Sequence, residues 1–100
     1  MVKQIRWTEG AQFDRKEIFQ YWNARNKTNN YSKKLNQLFK DNIKLLQKHP
    51  SMGRLMNRDN IRLSVVRDYL LVYQDFEDEI IIISIWDSRQ NPEKLIDRIT

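Results

Sequence analysis

Three short apolar segments follow one another between Ile61 and Trp86 with almost nothing separating them, and few folds are open to a chain built that way. They are Ile61-Arg62-Leu63-Ser64-Val65-Val66, Tyr69-Leu70-Leu71-Val72-Tyr73 and Glu79-Ile80-Ile81-Ile82-Ile83-Ser84-Ile85-Trp86. Their β-branched and aromatic side chains suit a pleated, half-buried surface, and each run is too short for an ordinary helix, so each reads as a strand. Arg67-Asp68 is a link of hairpin length and Asp75-Phe76-Glu77-Asp78 an acidic turn, which makes the three an antiparallel meander. Isoleucine at positions 80 to 83 and again at 85 leaves both faces of the last strand apolar, so that strand belongs inside the sheet.

A sheet of this kind needs a cover, and the first half supplies one. Lys3-Gln4-Ile5-Arg6-Trp7 alternates, with Ile5 and Trp7 on one side, and predicts a half-buried first strand. Thr8 is a candidate N-cap, with Glu9 in the first turn where the helix dipole favours an acid. Ala11, Ile18, Tyr21, Trp22 and Arg25 recur at helical spacing, with Asp14 and Arg15 filling the interval. A first helix is therefore expected over residues 9–25, with Tyr21 and Trp22 packed on the sheet. After the polar break at residues 26–30, Tyr31, Leu35, Leu38, Phe39, Asn42, Leu45 and Leu46 trace one face of a second helix. Lys33, Lys34, Lys40, Lys44 and Lys48 fill the rest of its surface. Pro50 stops it after His49, Ser51-Met52-Gly53 makes a turn, and the polar segment 54–60 leads into the meander. Past the last strand, Asn91-Pro92-Glu93 has the form of a cap, a first-turn proline and a first-turn acid, which predicts a short helix carrying Leu95, Ile96 and Ile99.

The fold class is thus α+β: an N-terminal strand, an antiparallel helix pair and the meander, in one domain spanning residues 1–100. Two antiparallel helices joined by a short link would return the chain to the end of the sheet where it left the first strand. On that reading the first strand is antiparallel to the one starting at Ile61 and the whole sheet is antiparallel, with the helices on one face. The other face would stay partly open, a concave surface with arginines at the strand ends. Alternation puts Trp86 on the same face as Ile80, Ile82 and Ser84.

Composition narrows the function. The chain has no cysteine, which excludes a disulfide framework, a thiolate metal site and a thiol nucleophile, and it has a single histidine. No cofactor and no metal site is expected, the acids of residues 75–79 reading as a solvated turn. No stretch approaches the roughly 18 apolar residues of a membrane span, and residues 1–6 lack a signal-peptide core, so a cytoplasmic protein without a membrane partner is expected. Residues 1–50 hold eleven Lys and Arg against four Asp and Glu, whereas residues 51–100 hold seven against nine. The positive field therefore sits on the first half. It extends through Arg54, Arg58, Arg62 and Arg67 to the start of the sheet, and it favours a polyanionic partner or an acidic protein segment.

The order of elements, the Tyr21-Trp22 pair, residues 45–53 with their Pro-x-x-Gly, Arg67-Asp68-Tyr69-Leu70-Leu71-Val72-Tyr73 and Ile83-Ser84-Ile85-Trp86-Asp87-Ser88-Arg89-Gln90 resemble the RelE/ParE superfamily of bacterial toxins. The resemblance covers nearly the whole chain. It implies the toxin of a type II toxin-antitoxin system, of the kind linked to plasmid stabilization and growth inhibition. Its partner would be a cognate antitoxin laid over the cationic face as an extended or helical segment, in a hetero-oligomer or beside a toxin homodimer.

The superfamily implies two mechanisms. RelE-like members are ribosome-dependent endonucleases that cut mRNA with basic residues on the open sheet face and, in many, a tyrosine or histidine near the C-terminus. ParE-like members lack that set and act on DNA gyrase. In the RelE pattern the tyrosine opening the strand at position 69 is followed by arginine; here Tyr69 is followed by Leu70, and nothing after Gln90 matches the RelE tyrosine region. The resemblance is therefore ParE-like, with inhibition by binding. The residues expected to meet target or antitoxin are Arg54, Arg62, Arg67, Trp86, Arg89 and Gln90. A nuclease would have to rebuild its site from Arg62, Arg67 and Arg89 for phosphate charge and Asp87 as base. His49 is explained by its place at a helix C-terminus. A third reading is a non-toxic basic module that keeps only antitoxin binding.

Overall fold

The structure, a computed structural model, describes residues 3–56, 59–91 and 93–95. Two helices, α1 (Glu9–Asn26) and α2 (Asn30–Lys48), connect β1 (Gln4–Trp7) to a 3-10 turn at Pro50–Met52. Then come β2 (Arg54–Leu55), β3 (Ile61–Val66), β4 (Tyr69–Asp75) and β5 (Glu79–Asp87). The strands form one sheet in the order β1-β5-β4-β3-β2.

Local signals explain the helices. Thr8 has an extended backbone and its hydroxyl accepts the Ala11 N–H at 3.1 Å, which caps α1 as expected. Lys27 ends α1 in the left-handed region, with φ 55°. In α2 the inward stripe is Leu35, Phe39, Ile43 and Leu46. Leu45, assigned to that stripe by spacing, is 46% exposed. The stripe packs with Ala11, Tyr69, Leu71, Tyr73, Ile80 and Ile82, and burial of each large apolar side chain there stabilises the fold by about 1.5–3 kcal/mol. The helix pair thus covers one face of the sheet, and β5 lies inside it, between β1 and β4.

The sheet is mixed, not wholly antiparallel: β1 pairs with β5 in parallel, Gln4 opposite Glu79 through Trp7 opposite Ile82. The reason lies in how far β1 reaches. It stops halfway along β5, and α1 carries the chain onward in the same sense: Thr8 meets Ile83, Asp14 meets Ile85, and Trp22 meets Tyr69, which pairs with Asp87. Only α2 reverses. Near its end the Gln47 side-chain amide donates to the Lys3 carbonyl, so the chain has returned to where β1 began. From there β2, a two-residue edge strand at the start of the polar segment 54–60, leads into β3, which runs in the same sense as β1.

A β-bulge in β5 overturns a second expectation. Tyr73 pairs with Ile82 and Val72 with Ser84, which leaves Ile83 as the extra residue. The bulge resets the alternation. Ile80, Ile82 and Ile85 face the helices, whereas Trp86 packs with Val72, Ile61, Leu70 and Ile83 on the other side. That other face is also less open than expected. Ile61, Val72 and Trp86 are buried there together with Leu95, from the helical residues 93–95. The Asn91 side chain accepts the Glu93 N–H at 3.0 Å, the cap foreseen for this segment. Ile96 and Ile99, expected on the same helix, lie outside the described residues, as does Arg58.

Candidate functional site

β1 ends opposite Ile82 and so leaves the outer backbone edge of β5 uncovered from Ile83 onward. An unpaired edge inside a fold needs hydrogen-bond partners, and α1 provides them. The Thr8 hydroxyl reaches the Ile83 carbonyl at 3.4 Å. Asp14, only 6% exposed, accepts the Ile85 N–H and the Ser84 hydroxyl through one oxygen, each at 3.1 Å. Because a helix and not a strand closes this edge, a cleft of about 650 Å³ opens between α1 and the end of β5. Glu17, Tyr21, Tyr69, Asp87, Arg89 and Gln90 are among the residues that line it.

The floor is fixed. Tyr69, buried at 3% exposure, accepts the Trp22 indole N–H at 2.7 Å, and its ring meets Phe39 edge-on at 6.1 Å between centroids. Burial is the main cause that raises the Tyr69 phenol above its ordinary pKa; the Trp22 bond works against it, and Asp87 adds to it. Trp22 is held in turn by Tyr31, edge-on at 4.7 Å. Tyr21, expected in the core, is instead 50% exposed and stands beside the cleft, edge-on to Trp22.

The rim is a charged turn. Asp87 accepts the Arg89 backbone N–H at 2.9 Å and takes its guanidinium in a fork, Nε at 3.0 Å and an Nη at 2.8 Å. The Arg89 hydrogen bonds hold the Asp87 carboxyl below its ordinary range, and the carboxylate raises the Arg89 pKa in return. Ser88 ties this turn to the β3–β4 hairpin through two bonds to the Asp68 carbonyl, from its hydroxyl at 2.7 Å and its N–H at 2.8 Å. Arg67, at the first position of that two-residue hairpin, adopts φ 57°.

The residues singled out by sequence therefore fall into two groups. Arg67, Trp86, Asp87, Arg89 and Gln90 come together at one end of the sheet. Arg54 and Arg62 lie apart, on the short β2–β3 ladder. The Arg62 guanidinium spans the preceding loop, donating to the Ser51 carbonyl at 3.0 Å and the Gly53 carbonyl at 2.8 Å. Trp86 is 8% exposed, and its indole N–H meets no acceptor among the described residues. His49 is exposed at the C-cap of α2. Among the described residues no group of three or more His, Asp or Glu is arranged to hold a metal ion.

Asp14 is the residue that sequence reasoning passed over. Its signal was its spacing: an acid three residues after Ala11 and four before Ile18 sits on the inward face of α1. A second groove, of about 330 Å³, runs between α2 and β3, lined by Leu38, Asp41, Asn42, Leu45, Val65, Val66 and Arg67. Val65 is 71% exposed in it.

Comparison with known proteins agrees with this architecture. The family model of the ParE toxin of the parDE type II toxin-antitoxin system matches residues 5–92. No curated protein matches the sequence. Among solved structures, one described as "Chromosomal ParDE TA system from P. aeruginosa" has the same fold, with a TM-score of 0.72 at 19% identity, over 86% of this chain and 96% of that one.

Proposed function

The chain belongs to the ParE toxin family of type II toxin-antitoxin systems, and from that premise we propose that it arrests growth by binding DNA gyrase. In this reading it acts through a fixed surface and not by cutting RNA, and a cognate antitoxin silences it in a hetero-oligomer. The contact surface is the end of the sheet that carries Arg67, Arg89 and Gln90.

One observation supports the binding mode above the others. Three of the four groups a nuclease would need are already engaged: Arg62 braces the 51–53 loop, and Asp87 and Arg89 satisfy each other. Asp87, held ionised by a fork of guanidinium bonds, is better suited to fixing the shape of the turn. For the antitoxin, the groove between α2 and β3 offers exposed Leu45 and Val65, a seat for an apolar segment that carries an acid at the Arg67 end and none beside Asp41.

The test is controlled expression of the chain in bacteria, with growth, cell shape and transcript ends followed together. Filamentation with intact transcripts, lost in the Arg89→Ala, Gln90→Ala double variant, is the expected outcome. Fresh transcript ends at ribosome-occupied codons would contradict it in favour of a ribosome-dependent nuclease. Absence of arrest would leave a module that only binds antitoxin.

A further inference from the structure

The lysines of α2 are not explained by the cleft, the groove or the core. Lys33, Lys40, Lys44 and Lys48 fall within an arc of about 80° of the helix surface, opposite the buried stripe. All four are exposed. No carboxylate pairs with any of them among the described residues: the ion pairs there join Lys3 to Asp75, Arg6 to Glu79 and Arg89 to Asp87. Asp41, the one acid of α2, is hydrogen-bonded to Gln37 at 2.9 Å. Lys40, Lys44 and Lys48 follow at i, i+4 spacing, an arrangement of like charges that costs an isolated helix about 0.2–0.5 kcal/mol per pair.

We infer that this row is a docking surface for the phosphate backbone of duplex DNA, bound without regard to sequence. The inference goes beyond the gyrase reading and does not depend on it. Lysine is depleted at protein–protein interfaces, where aromatic and arginine anchors dominate, and it is a standard donor to nucleic-acid phosphates. Within the row's own arc the remaining exposed side chains are the polar Asn30 and Gln37, and exposed Leu45 lies about 60° farther round the helix, so a protein partner seated on the row itself would find no apolar anchor. No aromatic ring stands in the row to stack an unpaired base, which sets single strands aside. Steps of about 6 Å from Lys40 to Lys44 to Lys48 spread the ammonium groups along a duplex, whose density of one charge per roughly 1.7 Å of axis offers a phosphate within reach of each.

The experiment is fluorescence anisotropy of a labelled mixed-sequence DNA duplex, titrated with the protein over a series of salt concentrations. Four phosphate contacts predict that affinity falls roughly 10²-fold for a fourfold rise in salt. The Lys40→Gln, Lys44→Gln, Lys48→Gln variant should lose all but a few-fold of that dependence while melting at the wild-type temperature. A control of equal charge, Lys16→Gln, Lys27→Gln, Lys94→Gln, should keep it. The inference is overturned if the wild-type chain leaves the duplex free, or if the control loses as much as the α2 variant, which would make net charge the cause. Equal binding of an RNA duplex would remove the assignment to DNA, and equal binding of a polyglutamate peptide would reassign the row to an acidic protein.

Discussion

The indole N–H of Trp22 lies 2.7 Å from the phenol oxygen of Tyr69, and this bond couples the last turns of α1 to the first residue of β4. Tyr69 pairs with Asp87 across the sheet, so the same bond anchors the end of β5 from which Arg89 and Gln90 project. Trp22→Phe keeps most of the ring packing and removes the donor. It should cost about 1 kcal/mol, read by urea denaturation. Combined with Tyr69→Phe the losses should be less than additive; strict additivity would mean that the bond contributes nothing.

Asp14 closes the β5 edge that β1 leaves bare. Asp14→Ala strands a buried N–H and a buried hydroxyl, and unsatisfied groups of this kind cost about 1–3 kcal/mol each. Hydrogen exchange should show the Ile85 amide opening well before those of β4. Protection equal to wild type at Ile85 would contradict the edge-closing role.

Gly53 is needed for space, not for backbone freedom, since its φ is −72°. A Cβ there would run into the Tyr73 ring and stand 2.9 Å from the Leu63 carbonyl. Tyr73 fills that space because its hydroxyl donates to the Pro50 carbonyl at 2.7 Å and accepts the Gly53 N–H at 3.0 Å. Gly53→Ala should therefore destabilise by about 1–3 kcal/mol. A Tyr73→Phe background should relieve only the part of that loss due to the hydroxyl, because the ring carbon at 2.8 Å and the Leu63 carbonyl stay in place; an undiminished loss would mean that the hydroxyl takes no part in the clash.

Asp87 gives a pH signature whose sign is fixed by its depressed pKa, caused first by the Arg89 hydrogen bonds. The carboxylate is more acidic folded than unfolded, so its contribution is complete above the unfolded value of about 3.9 and is lost as pH falls through the folded one. The stability difference between wild type and Asp87→Asn should thus be constant near neutrality and shrink in acid below about pH 4. A difference that instead grew in acid would contradict the depressed value. Because the Arg89 side chain is exposed, the difference should also narrow with added salt.

The elements were legible in the sequence wherever one physical signal dominated. The isoleucines of β5 announced a buried strand, Thr8 announced the start of α1, and Pro50 the end of α2. What stayed hidden depended on lengths and pairings that no local pattern carries. β1 stops opposite Ile82 because Thr8 turns the chain into α1, and from that stop follow the parallel pairing, the bare edge and the cleft. The bulge at Ile83 is invisible in a run of identical side chains, yet it decides which face Trp86 takes. Of the candidate site, the Asp87-to-Gln90 turn was readable because its polar residues follow an apolar strand. Arg62 reads in the sequence as a cation available to a partner, because nothing in its neighbours betrays that it reaches back to the 51–53 loop.

The gyrase reading is tested most directly with two purified components. Bacterial gyrase is allowed to supercoil relaxed plasmid while the wild-type chain is titrated in, alongside the Arg89→Ala, Gln90→Ala variant. The account predicts that wild type stops supercoiling in proportion to the amount bound and that the variant leaves it running. Undiminished supercoiling at saturating wild-type protein, with cleavage of mRNA on translating ribosomes in a parallel reaction, would contradict it.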